Sequence, residues 1–352
     1  MLHSIRIILG LSSLLLFGGC GTIGYYAQAV SGELAVLRAR QPISELLADA
    51  ATPPSLKARL ERVRDARDWA VTAMGLPDNG SYRSYADVRR PYVVWNVFAT
   101  AEFSVEPLRH CFPVAGCVGY QGWYAEADAQ AQAATLQRQG YDVYVGGVPA
   151  YSTLGWFDDP LLSTMLRWDD ATLVATLFHE LAHQKLYVKH DTRFNESFAE
   201  FVGEQGLREY RAQHALPGAS DLDARRARRQ QFTTLVLATR TTLEALYREP
   251  LDPATLRARK AAVFAQLRHD AAQLRAPDGK GAYDRFFDAP LNNARLLPFG
   301  LYDDDLPAFA QLFADSGSDW RRFFDAAARL AALAPARRAE ELRRLKAGAP
   351  RS

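Results

Sequence analysis

The spacing of apolar residues predicts a mainly helical chain. Apolar side chains recur at three- or four-residue intervals, as in amphipathic helices, over residues 24–50, 56–74, 124–139, 222–248, 254–274 and 320–345. β-Branched and aromatic residues instead predict strands at 92–98 and 141–145, with 102–105 as a neighbour of the first. The pattern favours an α+β fold that is mainly helical and contains one small mixed sheet.

A central segment, residues 172–203, carries the clearest candidate chemistry. Its first half is apolar, follows two N-cap candidates at 169 and 170, and contains H-E-x-x-H at His179, Glu180 and His183. Four residues make about one helical turn, so both imidazoles project from one face and can share a zinc ion. Glu180 is rotated by about 100° from His179 and can take a proton from a metal-bound water.

A plainer interpretation is a buried helix whose two histidines are satisfied by hydrogen bonds. Two imidazoles and a carboxylate in an apolar helix are costly without a partner, and this favours the zinc site. HELAHQ followed by Asn-Glu-x-Phe-Ala resembles the aminopeptidase-N-like gluzincins. The resemblance implies that Glu196 is the third ligand and that Glu200 orients a ligating histidine, with Asn195 supporting the site. Only 12 residues separate His183 from Glu196, a shorter connection than in those aminopeptidases.

A stretch rich in glycine and proline, residues 146–160, precedes the central segment. Adjacent glycines permit close approach of another backbone, and Pro149 suits an edge strand because it donates no ladder hydrogen bond. In gluzincins an edge strand lies above the H-E-x-x-H helix, and residues 148–153 stand in the right order for that role; an irregular connector is the alternative. The candidate substrate-binding residues are Gly147, Val148, Pro149, Ala150, Tyr151 and Ser152.

A polar interruption at residues 289–309 is a candidate to fold back onto the active site. It would supply Asn293, Arg295 or Tyr302, although a plain connector is equally compatible with the pattern. The gluzincin mechanism also needs a donor for the developing oxyanion. Tyr302 and Tyr151 are the candidates for that catalytic role.

The first twenty residues predict a targeting segment. An apolar run from Ile7 to Phe17, too short for a stable membrane span, ends at Gly18-Gly19-Cys20. Small residues directly before a cysteine resemble a bacterial lipoprotein processing site, so Cys20 is the expected lipidation site; an ordinary signal peptide is the alternative. The resemblance implies a lipid-anchored protein of the cell envelope, at the outer membrane and facing the periplasm.

The two remaining cysteines, Cys111 and Cys117, also bear on the compartment. Five residues lie between them, including a proline and a glycine that can turn the chain. A disulfide closing this small loop fits an oxidising compartment, and two buried thiols are the alternative.

Several motifs together are similar to the bacterial predicted-aminopeptidase lipoproteins. They are Cys-Phe-Pro-x-x-Gly-Cys, the Gly-Gly-Val-Pro-Ala-Tyr-Ser-Thr-Leu-Gly-Trp-Phe-Asp-Asp-Pro run, HELAHQ, Asn-Glu-Ser-Phe-Ala and Asn-Asn-Ala-Arg-Leu. The resemblance implies a zinc metallopeptidase, an aminopeptidase with one zinc ion and peptide substrates. The G-x-M-E-N signature that holds a substrate's free amine in aminopeptidase N is absent, which leaves exo- or endo-cleavage open.

The expected organisation is a signal peptide, residues 1–20, and one metallopeptidase domain, residues 21–352. Within that domain we expect N-terminal helices and a small sheet to residue 168, the zinc core over 169–215 and a helical lobe over 216–352. The net charge of +2 argues against a nucleic-acid partner. The alternative function is a zinc-stabilised or non-catalytic envelope lipoprotein that binds a protein partner.

Overall fold

Helices dominate the structure, a computed structural model that describes residues 23–112, 116–153, 156–216, 222–274, 283–299 and 305–348. The helices are α1 (23–38), α2 (Ile43–Ala48), α3 (Pro54–Trp69), α4 (Glu126–Arg138), α5 (Asp170–Lys185), α6 (Thr192–Gln213), α7 (Leu222–Leu246), α8 (Pro253–Ala272), α9 (Leu306–Asp315), α10 (Trp320–Ala331) and α11 (Pro335–Gly348). The strands are β1 (Arg40–Pro42), β2 (Ser84–Ala86), β3 (Val94–Ala101), β4 (His110–Phe112), β5 (Gly116–Val118), β6 (Tyr120–Trp123), β7 (Tyr141–Val148) and β8 (Leu161–Leu162). The expectation of a mainly helical α+β fold is confirmed.

The strands form three small sheets, where one was predicted. The central sheet has the order β6-β3-β7 and is antiparallel throughout. Helix α4 covers one of its faces, and residues 294 and 297 pack on the other. A second sheet has the order β1-β2-β8, and β4 and β5 form a separate hairpin.

Two of the predicted elements are wrong in detail. The helix expected over 24–50 is interrupted at β1, because Arg40 to Pro42 pair with β2, which lies more than forty residues further along the chain. The expected strand at 102–105 is a turn, in which the Ser104 N–H donates to the Ala101 carbonyl. The neighbours of β3 in the sheet are β6 and β7.

The substrate-strand prediction needs a correction as well. β7 ends at Val148, and residues 149–153 leave the sheet. Pro149 has no N–H, and its carbonyl accepts a hydrogen bond from the Thr164 hydroxyl instead of a ladder bond. Asp159 then holds the end of the segment, because its carboxylate accepts from both the N–H and the hydroxyl of Thr153.

The largest hydrophobic core joins the central segment to both ends of the chain. Helices α3, α5 and α6 contribute to it together with the C-terminal helices α9, α10 and α11. Aromatic rings fill the contact, with Phe198 of α6 between Phe309 and Phe323. Helices α7 and α8 build a second core with Val105 and Leu296. The segment expected as one helical lobe, residues 216–352, therefore contributes to two cores.

The β4–β5 hairpin carries the predicted disulfide. Cys111 and Cys117 face each other in the strand register, and their sulfur atoms are bonded. This pairing is confirmed. Cys20 lies outside the described residues, so its lipidation stays a prediction. None of the helices in the described ranges is long and apolar enough to cross a membrane.

Candidate metal centre

Helix α5 presents the H-E-x-x-H residues. The Asp169 carboxylate caps its first turn by accepting from the Thr172 N–H at 2.9 Å. Asp170 is held in ion pairs with Arg59 and Arg62 of α3. The apolar residues of α5 other than Ala175 are buried, and this fixes the helix in the main core. The histidine pair therefore projects from a rigid element.

A short turn, residues 186–191, returns the chain as α6. Asp191 caps α6 by accepting from the Phe194 N–H at 3.1 Å. Buried Asn195 pins the turn through two hydrogen bonds with Val188, accepting from its N–H at 2.7 Å and donating to its carbonyl at 2.8 Å. Asn195 thus positions the segment that carries Glu196.

The two helices approach closely at Gly203. A Cβ at that position would lie 2.7 Å from the Ala175 carbonyl oxygen of α5. Only glycine permits this separation without a shift of one backbone. This close approach of the two helices brings the carboxylates of α6 near the histidines of α5.

Three side chains from the two helices converge on one point. The Nε2 atoms of His179 and His183 lie 3.1 Å apart. The Glu196 carboxylate lies 3.4 Å from His179 Nε2 and 3.6 Å from His183 Nε2. In the described part of the chain, these three residues form a group whose ligand atoms could together hold a metal ion.

The triangle has the dimensions that a tetrahedral zinc ion requires. Ligand atoms about 2.0–2.1 Å from such an ion lie roughly 3.3 Å from one another. The distances of 3.1, 3.4 and 3.6 Å bracket that value. Two imidazoles and one carboxylate are also the donor set of catalytic zinc sites that keep a fourth position open. The residues therefore fit zinc.

Glu200 contacts the other side of His179. Its carboxylate lies 3.2 Å from Nδ1, so Nε2 is left for the triangle. Burial opposes protonation of His179, but the carboxylates of Glu196 and Glu200 outweigh it and raise its pKa to about 10. Burial likewise acts against ionised Glu196, yet the two histidines lower its pKa to about 2. The Nδ1 of His183 is buried without a hydrogen-bond partner among the described residues.

Glu180 lies beside this triangle and is not bound to it. Its half-buried carboxylate makes no hydrogen bond with any other residue in the described ranges. The pKa of Glu180 is raised above its ordinary value. Burial and the charge of Glu196 raise it, and together they outweigh the two histidines, which lower it. A carboxylate with no hydrogen-bond partner beside the triangle can accept a proton and release it again.

Comparison with known protein families gave a match. A family model described as "Putative aminopeptidase" matches residues 24–342 and so includes α5 and α6. The chain belongs to this family. No curated protein sequence and no solved structure matched the chain. Membership supports a peptidase that acts on peptide substrates.

The structure shows which contacts several of the other candidates from the sequence make. The Tyr151 hydroxyl bonds to Glu33 and to the Tyr124 hydroxyl. Asn293 bonds to Tyr247, and the Arg295 guanidinium lies over the Tyr144 and Phe286 rings. Tyr302 lies outside the described residues. Gly147 and Val148 belong to β7, and the main-chain groups of Ala150 and Tyr151 make no hydrogen bond with another described residue.

The sequence did not identify three tyrosines near the candidate metal centre as functional residues. Burial raises the pKa of Tyr120 and of Tyr187, and the Glu196 carboxylate raises both further. Buried Tyr82 has its pKa raised well above the usual value by burial and by Glu180. Tyr187 lies in the turn after His183, so its closeness to the motif in the sequence could have identified it. Tyr82 and Tyr120 belong to segments that are distant from the motif in the sequence.

Proposed function

We propose that this chain is a zinc-dependent peptidase, an aminopeptidase of the bacterial cell envelope. The observation that carries the proposal is the triangle of His179, His183 and Glu196 with unbonded Glu180 beside it. Membership in the aminopeptidase family supports the same reaction class. A non-catalytic partner-binding lipoprotein would need no open, proton-accepting carboxylate at this position.

The chain's own residues divide the work of amide hydrolysis. When bound, zinc would lower the pKa of a water molecule and polarise the scissile carbonyl. The zinc ion would be held by His179, His183 and Glu196. Glu200 keeps His179 in the orientation that presents Nε2. Glu180 accepts the proton from the attacking water and passes it to the leaving amine.

The oxyanion donor is assigned to a tyrosine that stays protonated. The candidates are Tyr120 on β6 and Tyr187 in the α5–α6 turn, because the charge of the Glu196 carboxylate acts on both hydroxyls and raises their pKa. Replacing the tyrosine that acts as the donor with phenylalanine should lower kcat by about 10²-fold or more and leave the zinc content unchanged. If both variants keep full kcat, neither tyrosine is the donor.

Metal exchange tests the proposed function. The purified chain should contain one zinc ion, lose peptide hydrolysis on treatment with a chelator and regain it when zinc is restored. Unblocked peptides of mixed sequence, followed by mass spectrometry, serve as substrate. Hydrolysis that survives complete zinc removal would rule out the zinc mechanism.

The envelope location rests on Cys20. Cys20→Ala should release the protein from the membrane fraction or block its processing. If the variant fractionates and is cleaved like the parent, the lipid anchor is wrong.

A further inference from the structure

Polar side chains attach helix α1 to the rest of the protein. Gln28 donates to the Gly122 carbonyl at 3.1 Å and accepts from the Tyr124 N–H at 3.1 Å. The Tyr25 hydroxyl accepts from the Gly122 N–H at 3.2 Å. The Glu33 carboxylate accepts from the Tyr124 hydroxyl at 2.7 Å. The side of α1 that faces the protein is therefore held by hydrogen bonds to β6 and to the residue that follows it.

The opposite side of α1 is apolar and faces outward. Ile23, Val30 and Leu34 are 70%, 58% and 41% exposed, and their spacing along the helix places them on one face. These three side chains form the outer face of α1. The other exposed positions of α1 carry no carboxylate; they are Gly24, Ala27, Ser31, Ala35 and Arg38. A helix on the surface of a soluble domain normally shows the reverse pattern, with apolar residues towards the core and charges towards water.

Both ends of the outer face lie next to features that suit a membrane surface. Helix α1 begins three residues after Cys20, the proposed site of the lipid, and three residues of chain span at most about 11 Å. At the other end, Arg40 donates to the Asp158 carbonyl at 3.0 Å. This contact holds the neighbouring Trp156 and Phe157, which are 85% and 49% exposed, near the C-terminal end of α1. Aromatic side chains, tryptophan above all, favour the interface between membrane and water.

We propose that the outer face of α1 lies against the surface of a phospholipid bilayer. The inference rests on the lipid anchor of the proposed function and goes beyond it, because an anchor alone tethers the chain and leaves its orientation open. Helix α1 is about 24 Å long and would lie in the plane of the membrane. Strand β6, to which α1 is bonded, also carries Tyr120 near the candidate metal centre. Contact with the bilayer therefore also sets how that centre is oriented relative to the membrane.

Fluorescent probes at single added cysteines test this contact in the full chain, reconstituted into vesicles of phosphatidylethanolamine and phosphatidylglycerol. Cys111 and Cys117 form the disulfide and a lipidated Cys20 has no free thiol, so only the added cysteine takes up label. A helix lying in the interface buries its apolar face about 5–10 Å into the boundary between headgroups and acyl chains. A probe at Val30→Cys should therefore shift its emission to shorter wavelength and lose emission when the lipid carries a doxyl group close to the headgroup.

Leu333, between α10 and α11, provides the matched control because it is another large apolar side chain that is 39% exposed. A probe at Leu333→Cys should show neither the shift nor the quenching. Equal quenching at both positions, or quenching at neither, would overturn the membrane contact.

Acidic substitutions check that the outer face itself makes the contact. A probe at Ala27→Cys should lose its quenching when Val30→Glu and Leu34→Glu are introduced together, whereas Leu333→Glu should leave it unchanged. The substituted side chains are exposed, so the double variant should unfold in urea like the parent. Unchanged quenching in the double variant would overturn the proposal. An emission shift that grows with protein concentration in the absence of lipid would indicate a second copy on this face and would overturn it as well.

The same labelling separates this inference from the lipid anchor. If the parent without an added cysteine takes up label at Cys20, the anchor fails. The comparison of Val30→Cys with Leu333→Cys in a Cys20→Ser background then decides the membrane contact by itself. Peptide hydrolysis enters none of these measurements, so failure of the peptidase would leave their outcome unchanged.

Discussion

The Glu200 carboxylate lies 3.2 Å from Nδ1 of His179, and the Glu196 carboxylate lies 3.4 Å from Nε2 of the same imidazole. Glu200→Gln weakens this contact and frees the ring to rotate or change tautomer. We expect metal affinity to fall by about 10- to 100-fold, the usual effect of losing a support of a ligating histidine. Titration with zinc against a competing chelator measures it.

Glu204, one turn further along α6, provides the matched control. It pairs with Arg226 at 3.3 Å. Glu204→Gln should leave zinc affinity unchanged. Equal losses in both variants would mean that Glu200 acts only through the general charge of α6.

Glu196→Gln should reduce zinc affinity more than Glu200→Gln, because a neutral amide is a poorer ligand than a carboxylate. Metal analysis after dialysis of both proteins gives the order. If Glu200→Gln loses its zinc while Glu196→Gln retains it, the third ligand lies one turn further along α6.

Gly203→Ala tests the close packing of α5 and α6. The added methyl group would meet the Ala175 carbonyl oxygen at 2.7 Å, so the helices must separate. We expect a loss of about 1–3 kcal/mol in the free energy of unfolding, as for other overpacked positions, together with weaker zinc binding. In α1, Gly24→Ala introduces a methyl group that has no contact within 4 Å among the described residues, and this variant serves as control. Indistinguishable denaturation midpoints for the two variants would contradict the packing argument.

Asp159 should make stability depend on pH in an unusual direction. Burial raises its pKa to about 6 from an ordinary 3.8. Between those values the folded protein holds a proton that the unfolded chain has released, so the favourable contribution present below pH 4 is lost as pH rises through 6. Asp159→Asn removes this titration, and the parent should lose about 2 kcal/mol relative to the variant between pH 4 and pH 7.

Urea unfolding of both proteins at the two pH values measures the difference. Asparagine does not titrate, so any effect of the substitution that is independent of pH cancels between the two pH values. Parallel pH dependence in parent and variant would show that the Asp159 pKa is not raised.

Local sequence signals predicted much of the α5–α6 unit. The apolar periodicity, the Asp169 cap and the four-residue histidine spacing are all properties of one helix, and the Asn-Glu motif marked the start of the next. The interruption at β1 could not be predicted, because Arg40 to Pro42 take their strand conformation from pairing with β2. Helical periodicity alone continues through those residues.

Long-range contacts account for what the sequence interpretation missed at the site. Tyr82 and Tyr120 come from segments far from the H-E-x-x-H motif, and no local pattern marks them as functional. Tyr151 was chosen for its position in a glycine-rich stretch, but its hydroxyl is engaged by Glu33. Only the fold shows which side chains lie together.

Hydrolysis of unblocked peptides by the parent and by Glu180→Gln, each carrying one equivalent of zinc, tests the central claim most directly. Glu180 makes no hydrogen bond with the ligand residues, so the variant should keep the fold and the metal. The parent should release amino acids one at a time from the amino terminus, and Glu180→Gln should be slower by about 10²-fold or more, the range for loss of a general base. A zinc-loaded Glu180→Gln variant that cleaves the same peptides at the parent's rate would contradict the mechanism.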